Sequence, residues 1–249
     1  MIKFSIITVC LNAEKTIEST INSVLNQTYS NIQYIIIDGL SNDNTMNIVN
    51  KYQDKISTII SEPDNGLYDA INKGIQLSEG DIVGILNSDD IFHSNSTISN
   101  IANCFEADKD IMCLIGDVAF LNENKRISRV YSSKFWAPFL FRFGYMPPHP
   151  SFYCRKELFL KYGSYRTDFL IAADFELILR FLRIHKLHYH KIREIIVLMK
   201  TGGLSTQGLP SQKVISKEIL KACKLNNIHT NYFFIYLRYL LKAIQFFPH

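Results

Sequence analysis

Mostly apolar runs recur through the first third of the chain, each closing on polar residues. Residues 4–9, 32–37, 56–60 and 82–86 are such runs, rich in isoleucine and valine. Runs this short with β-branched residues fit strands buried on both faces, as in the middle of a parallel sheet. Between the first two, Ile17, Ile21, Val24 and Leu25 share one face of a predicted helix over 14–26. After the second run, Ser41 or Asp43 is placed to cap a further helix, and another is predicted over 67–77. Strand and helix alternate, which predicts a parallel sheet with right-handed crossovers.

Beyond residue 90 the alternation weakens. A helix is predicted over 98–105, then two strands over 111–120 and 127–131, read as an antiparallel pair. Residues 135–146 are densely aromatic and hold Trp136, the chain's one tryptophan, and 147–151 form a stiff proline-rich loop. Helices follow over 155–162 and from about 171, then a strand over 188–199, a glycine-containing loop over 201–205, and helical segments over 212–225 and 231–247. The expected architecture is α/β: a Rossmann-like, mostly parallel central sheet with flanking helices, a small antiparallel element and C-terminal amphipathic helices. The division that follows is a main domain over 1–210, in halves over 1–100 and 101–210. A helical tail covers 211–249.

Composition is that of a soluble packed domain: 249 residues, 47% hydrophobic and 20% charged. The five cysteines are scattered without a C-x-x-C, which reads as reduced thiols of a cytosolic protein. The strand pattern begins at Phe4, so no signal peptide is expected, and no uncharged apolar stretch of about 18 residues suggests a membrane span. The net charge of +4 hides an asymmetry. Residues 180–249 carry 12 Lys/Arg and two Asp/Glu, a balance of +10, against −6 for the rest. Lys213, Lys217, Lys221 and Lys224 share a helical face, and Arg238 and Lys242 share another within an apolar, aromatic segment. That pattern suits a helix lying on an anionic membrane surface, with the aromatic stretch 135–145 beside it. Packing on the protein's own core or on a second subunit is the alternative, which leaves a homodimer open.

Candidate chemistry lies where the runs end, because ligands of open α/β sheets bind at the strands' carboxyl ends. Asp89 and Asp90 close the fourth run. Adjacent carboxylates repel, and a hard divalent cation that also holds phosphate oxygens would relieve this; a solvated acidic turn is the plainer reading. Asp38, ending the second run, either reads a nucleoside or bonds its own turn. Asp69 and Lys73 share one helical face, facing a donor or forming a surface ion pair. Asp174 stands near a helix N-terminus, where the dipole favours a carboxylate. His149, between prolines, contacts an acceptor or completes a metal shell, or else anchors its loop. Gly202, Gly203 and Ser205 form a flap whose backbone amides meet phosphate, or a plain linker.

Four blocks resemble the family 2 glycosyltransferases, inverting enzymes of the GT-A fold. They are Ser5-Ile6-Ile7-Thr8-Val9 with Asn12 and 23–29; Ile37-Asp38-Gly39 with Ser41, Asp43 and Thr45; Ala70, Asn72, Lys73 and Gly74 ahead of Gly80-Asp81; and Leu86-Asn87-Ser88-Asp89-Asp90. The match is close over roughly the first 100 residues and looser through His149-Pro150-Ser151 and Ala173-Asp174. It looks like the subgroup that builds bacterial surface polysaccharides, such as O-antigen or capsule. The resemblance implies a UDP-sugar donor, its base held by the end of the first strand (Thr8, Cys10, Asn12) and by Asp38. It further implies Mn²⁺ or Mg²⁺ held by Asp89 and Asp90, with Asp89 alternatively on the ribose, and Asp174 as general base. A lipid-linked saccharide acceptor places the enzyme on the inner face of the cytoplasmic membrane. Two positions depart from the family pattern: Asn87 takes the first place of the usual Asp-x-Asp, and Ile71 replaces a frequent arginine, for which Lys73 is the nearby substitute. The competing class is a non-catalytic nucleotide- or nucleic-acid-binding module, slightly favoured by the basic C-terminal end. No helix-turn-helix, RNP-like pattern, G-x-G-x-x-G or P-loop supports nucleic-acid recognition or those phosphate cradles. A nucleotidyltransferase would need a Gly/Arg-rich N-terminal loop, which Val9-Cys10-Leu11-Asn12 is not.

Overall fold

A computed structural model describes residues 1–200 and 209–239. Its strands are β1 (Phe4–Cys10), β2 (Ile32–Asp38), β3 (Thr58–Ser61), β4 (Ile82–Ile85), β5 (Ile91–Phe92), β6 (Cys113–Leu121), β7 (Ile127–Tyr131), β8 (Tyr153–Arg155) and β9 (Tyr189–Lys200). The helices are α1 (Ile17–Leu25), α2 (Thr45–Asn50), α3 (Leu67–Leu77), α4 (Thr97–Ala107), α5 (Glu157–Tyr162), α6 (Ala173–Leu179), α7 (Leu209–Leu225) and α8 (Tyr232–Tyr236). All strands join one sheet in the order β3-β2-β1-β4-β8-β6-β9-β5, with β7 on β6.

The four apolar runs form the parallel half; β1, β2 and β4 are buried as predicted, whereas β3, at the edge of the sheet, is only half-buried. β1 lies between β2 and β4, and Phe4 pairs with Ile32 on one side and Ile82 on the other. Alternate residues of β1 and β2 go to opposite faces, since the strand period is two. Ile6, Cys10, Tyr34 and Ile36 pack with α1 and α4, while Ile7, Val9, Ile35 and Ile37 pack with α3 and α6. Both faces are therefore dry, and the polar chemistry is driven to the strand ends.

The direction of the sheet changes at β8, which runs antiparallel to both β4 and β6. The β6–β7 hairpin is antiparallel, as predicted, whereas the long β9 lies parallel to β6. β5 and β8, two and three residues long, lie where no strand is predicted, and β8 ends on Arg155, the first residue of the helix predicted over 155–162. Strands this short carry no periodicity, and only pairing with β9 and β4 fixes them. Gly84 makes the β4–β8 pairing possible: a β-carbon there would lie 2.2 Å from Cε1 of the Tyr153 ring.

α7 and α8 do not stand apart as a tail. Ile219, Ala222, Cys223 and Ile235 are buried in the core that holds α6. Lys213, Lys217 and Lys224 face outward as the helical spacing predicts, but the opposite face is covered by protein. Lys242 and the flap residues Gly202, Gly203 and Ser205 lie outside the described residues.

Two substitutions at the β4–β8 seam are expected to differ in sign. Gly84→Ala overpacks the Tyr153 ring and should lower stability by about 1–3 kcal/mol. Tyr153→Phe should be neutral or stabilising, because the Tyr153 hydroxyl is buried without a hydrogen-bond partner. Urea titrations of both variants check the pair; a Tyr153→Phe loss as large as that of Gly84→Ala would refute it.

Candidate active site

The carboxyl ends of β1, β2 and β4 lie side by side. Asn12, past β1, adopts φ 52°; its amide donates to Ser41 Oγ at 2.8 Å and its side-chain carbonyl accepts from the Asn42 amide at 2.9 Å. Asn tolerates this left-handed conformation, so Asn12 ties the two turns together. Asp38, at the end of β2, is 0% exposed. Its oxygens accept from the Ser41 amide (3.0 Å), the Ser41 hydroxyl (2.5 Å) and the Ser61 hydroxyl (2.7 Å), with the Cys10 thiol at 3.6 Å. Burial and the adjacent Asp38 carboxylate push the Cys10 thiol well above its ordinary range. Thr8 Oγ1 shares a hydrogen bond with the buried Tyr34 hydroxyl at 3.1 Å.

The side chains of Thr8, Cys10 and Asp38, expected at the donor's base, all lie at this edge and are buried there, and Asp38 also holds its own turn. A carboxylate missed in the sequence lies above it. Asp64 packs on Gly39, where a β-carbon would come within 2.4 Å of Asp64 Oδ2. Its other oxygen accepts from the Gly66 amide at 2.8 Å. Asp69 and Lys73 do share a face, 3.9 Å apart, but Lys73 also binds Glu62 and the Pro63 carbonyl, each at 2.8 Å. Asp69 accepts from the Asn65 amide at 2.9 Å. The pair therefore fastens the 62–66 loop to α3.

β4 delivers the acidic turn. The Thr20 hydroxyl, on α1, donates to the carbonyls of Ser88 (3.0 Å) and Asp90 (2.7 Å), which clamps the turn to the helix. Asp90 is 1% exposed, whereas Asp89 is partly exposed. Asp90 Oδ2 receives one weak contact from Asn87 Nδ2 at 3.4 Å; Asp90 Oδ1 and Asn87 Oδ1 are buried without partners. Desolvation, and then the neighbouring Asp89 charge, push the Asp90 carboxyl well above the usual carboxylate range. Among the described residues no cationic side chain pairs with either aspartate. Two orphaned buried oxygens beside a half-exposed carboxylate form a donor set that suits a hard divalent cation. No group of three or more His, Cys, Asp or Glu capable of holding a metal occurs among the described residues. A cation held by the one or two carboxylates of this turn would take its remaining ligands from substrate phosphate and water.

The second half brings a cluster of histidine, tyrosine and aspartate side chains to the same end of the sheet. β8 runs antiparallel to β4, so His149, four residues ahead of Tyr153, lies toward β4's carboxyl end. His149 Nε2 and the Tyr165 hydroxyl are 2.8 Å apart, and Tyr165 stacks on Tyr68 at 5.8 Å between ring centroids. The Tyr68 hydroxyl bonds the Ile171 carbonyl and lies 3.5 Å from Asp174 Oδ1, which accepts the Phe175 amide at 2.7 Å. Burial raises the Asp174 carboxyl above its ordinary value, opposed by His149; burial likewise lowers the His149 imidazole. Glu218 of α7 holds this segment by accepting the amides of Leu170, Ile171 and Ala172 at 2.6–2.9 Å. Tyr165 and Glu218 carried no motif in the sequence, since their partners lie about 93 and 47 positions away.

The chain matches the family model described as Glycosyl transferase family 2 over residues 5–161. It is 25% identical over 222 residues to the PGL/p-HBAD biosynthesis glycosyltransferase of Mycobacterium bovis, covering 88% of this chain and 82% of that one. It is 33% identical over 126 residues, half of this chain and 49% of the other, to the UDP-Glc:alpha-D-GlcNAc-diphosphoundecaprenol beta-1,3-glucosyltransferase WfgD of Escherichia coli. In structure it resembles S. aureus TarS 1–349 in complex with UDP-GlcNAc, with a TM-score of 0.66, 18% identity and coverage of 88% and 66%. It also resembles the mannosyltransferase PcManGT from Pyrobaculum calidifontis in complex with GDP-Man and Mn²⁺, with a TM-score of 0.65, 14% identity and coverage of 99% and 81%. The sheet and its flanking helices are therefore those of the GT-A fold, and the chain belongs to glycosyl transferase family 2. It is a glycosyltransferase.

Asp90 gives a test with a defined sign. Its folded-state pKa is raised, so the fold favours the protonated form, and stability is lost as pH rises through that value. In metal-free protein at pH 7, Asp90→Asn is expected to raise stability by about 1–2 kcal/mol, or roughly 2–8 °C in Tm. The gap should close toward pH 4, and Mn²⁺ should raise the Tm of the wild type more than that of the variant. Equal loss of Tm at both pH values would refute the reading.

Proposed function

We propose that the enzyme transfers a sugar, with inversion, from a UDP-sugar to a hydroxyl of a lipid-linked saccharide in bacterial surface-polysaccharide synthesis. The observation that supports this is a pair of differently treated carboxylate sites, the Asp89–Asp90 turn past β4 and Asp174 beside Tyr68 and His149. In the first Asp89 and Asp90 are left without a cation; in the second a lone Asp174 is held with raised proton affinity. Asp89, with Asp90 and Asn87 behind it, would hold a divalent cation, Mn²⁺ or Mg²⁺, which offsets the charge of the leaving diphosphate. Asp174 accepts the acceptor hydroxyl's proton while that oxygen bonds the anomeric carbon, and the carbon–phosphate oxygen bond breaks with its electron pair leaving on the nucleoside diphosphate. The raised Asp174 pKa strengthens it as a base once ionised. The donor and acceptor in the name of the E. coli relative, and the UDP-GlcNAc and Mn²⁺ of the structural neighbours, support the donor, cation and acceptor classes. On the donor side, Asp38 and the end of β1 form the edge that would receive the base, with Asp64 above Gly39 beside them.

Attachment to the cytoplasmic face of the membrane is part of the same proposal. Among the described residues no helix is long and apolar enough to cross a bilayer. Phe135, Phe139 and Phe233 are 75%, 59% and 70% exposed, and Phe143 meets Phe234 edge-on at 5.6 Å, so the aromatic stretch and α8 do lie together. Exposed aromatic rings beside Lys134 and Arg142 suit an interface with anionic lipid.

The experiment is a transfer assay with UDP-sugars and a lipid-linked acceptor, run beside UDP titration calorimetry. Asp174→Asn is expected to keep UDP affinity and lose transfer by a factor of 10²–10⁴. The wild-type rate should rise with pH through a pKa above the usual aspartate value. Phe139→Ser/Phe233→Ser should sediment less with phosphatidylglycerol vesicles while binding UDP normally. Near-wild-type transfer by Asp174→Asn would remove it as the base.

A further inference from the structure

Arg238 was expected on the surface, its charge among lipid headgroups. It is instead 2% exposed. Its Nη2 donates to the Ser216 hydroxyl (3.1 Å), the Tyr239 hydroxyl (3.0 Å) and, weakly, Gln212 Oε1 (3.5 Å). All three partners are neutral. Its Nε is buried and has no partner. Buried charges are normally paired with an opposite charge, because desolvation is otherwise uncompensated. Among the described residues no carboxylate pairs with Arg238. Residues 201–208 and 240–249 contain no Asp or Glu, so no side chain there supplies one.

The position of this cation gives it a use. Tyr131 lies within electrostatic reach of Asp174 and also of Arg238 and Arg129. Ser216 and Glu218 share the turn of α7 whose Glu218 holds residues 170–172 ahead of Asp174. The outer cover of the guanidinium is Tyr239, 40% exposed, whose hydroxyl donates to Gln212 at 2.8 Å. The guanidinium carbon that carries the forked donors lies 5.0 Å from the centroid of this partly exposed ring.

We infer that Arg238 is the seat of a phosphate group, and that the group is the phosphate by which the acceptor is joined to its lipid. Guanidinium geometry suits a phosphate oxygen pair, and the anion supplies the countercharge the chain withholds. The inference rests on the lipid-linked acceptor proposed above, and it assigns the residue that recognises the linkage rather than the sugar. A phospholipid headgroup offers the same chemistry and is separated by the test.

The probe is farnesyl diphosphate, bound in EDTA so that the acidic turn has no cation to contribute. UDP binding with Mn²⁺ is measured separately and reports the donor reading alone. Wild type is expected to bind farnesyl diphosphate, Arg238→Met at least tenfold more weakly, and Arg238→Lys at an intermediate affinity, with Tm and UDP affinity held in the lysine variant. Sedimentation with phosphatidylglycerol vesicles should be unchanged in all three. Equal farnesyl diphosphate affinity in Arg238→Met, or no binding by a wild type that still binds UDP, overturns the assignment. Loss confined to vesicle sedimentation also overturns it, in favour of a headgroup.

Discussion

The proposed site depends on the grip of α3 on the segment ahead of α6. Asn72 donates to the Tyr165 carbonyl at 2.8 Å and accepts from the Tyr165 amide at 3.0 Å. One residue of the first half thus completes the backbone hydrogen bonding of the second. Tyr68, a helical turn earlier, stacks on the Tyr165 ring and bonds the Ile171 carbonyl. The separation of the acidic turn from Asp174 is then set by packed side chains on a helix seated in the parallel sheet. A base must stand within hydrogen-bond reach of the proton it takes, so this junction fixes whether transfer is geometrically open. Glu218 braces the same segment from α7, which makes the C-terminal helices part of the catalytic frame.

Four buried or half-buried acidic groups show how the fold handles charge. Asp38 is saturated by hydroxyl, amide and thiol donors. Glu176 is paired with Arg180 at 2.9 Å. Those two have their hydrogen-bonding demands met inside the chain. Asp90 has only a weak contact from Asn87, and Asp174 only a neighbouring amide, a distant tyrosine hydroxyl and the field of His149. The groups left short of partners are the ones placed to meet something from outside, and Arg238 is their cationic counterpart.

The parallel half was legible because its signal is local. Unbroken isoleucine and valine runs need no partner to be read, and the polar residues that close them mark the carboxyl edge. The acidic turn and Asp174 followed from that pattern and from the family's motifs. Side-chain burial was not legible at the strand ends: Thr8, Cys10 and Asp38 sit at the expected edge and are buried there, since a strand's alternate positions face opposite ways and the turn consumes the rest. β5 and β8 escaped because two or three residues define no period. Tyr165, Glu218, Asp64 and Arg238 act through contacts across long sequence separations, and one chain read alone gives no pairing information for them. The lysine face of α7 was read correctly, but what covered its other face was decided by packing.

The most direct test of a single-base displacement is the configuration at the transferred sugar. After reaction with α-linked UDP-glucose or UDP-N-acetylglucosamine, the new anomeric proton should show the large coupling of a trans-diaxial, β-linked product in proton NMR. A product retaining the small α coupling would contradict the account, because one carboxylate acting on the acceptor hydroxyl cannot deliver it.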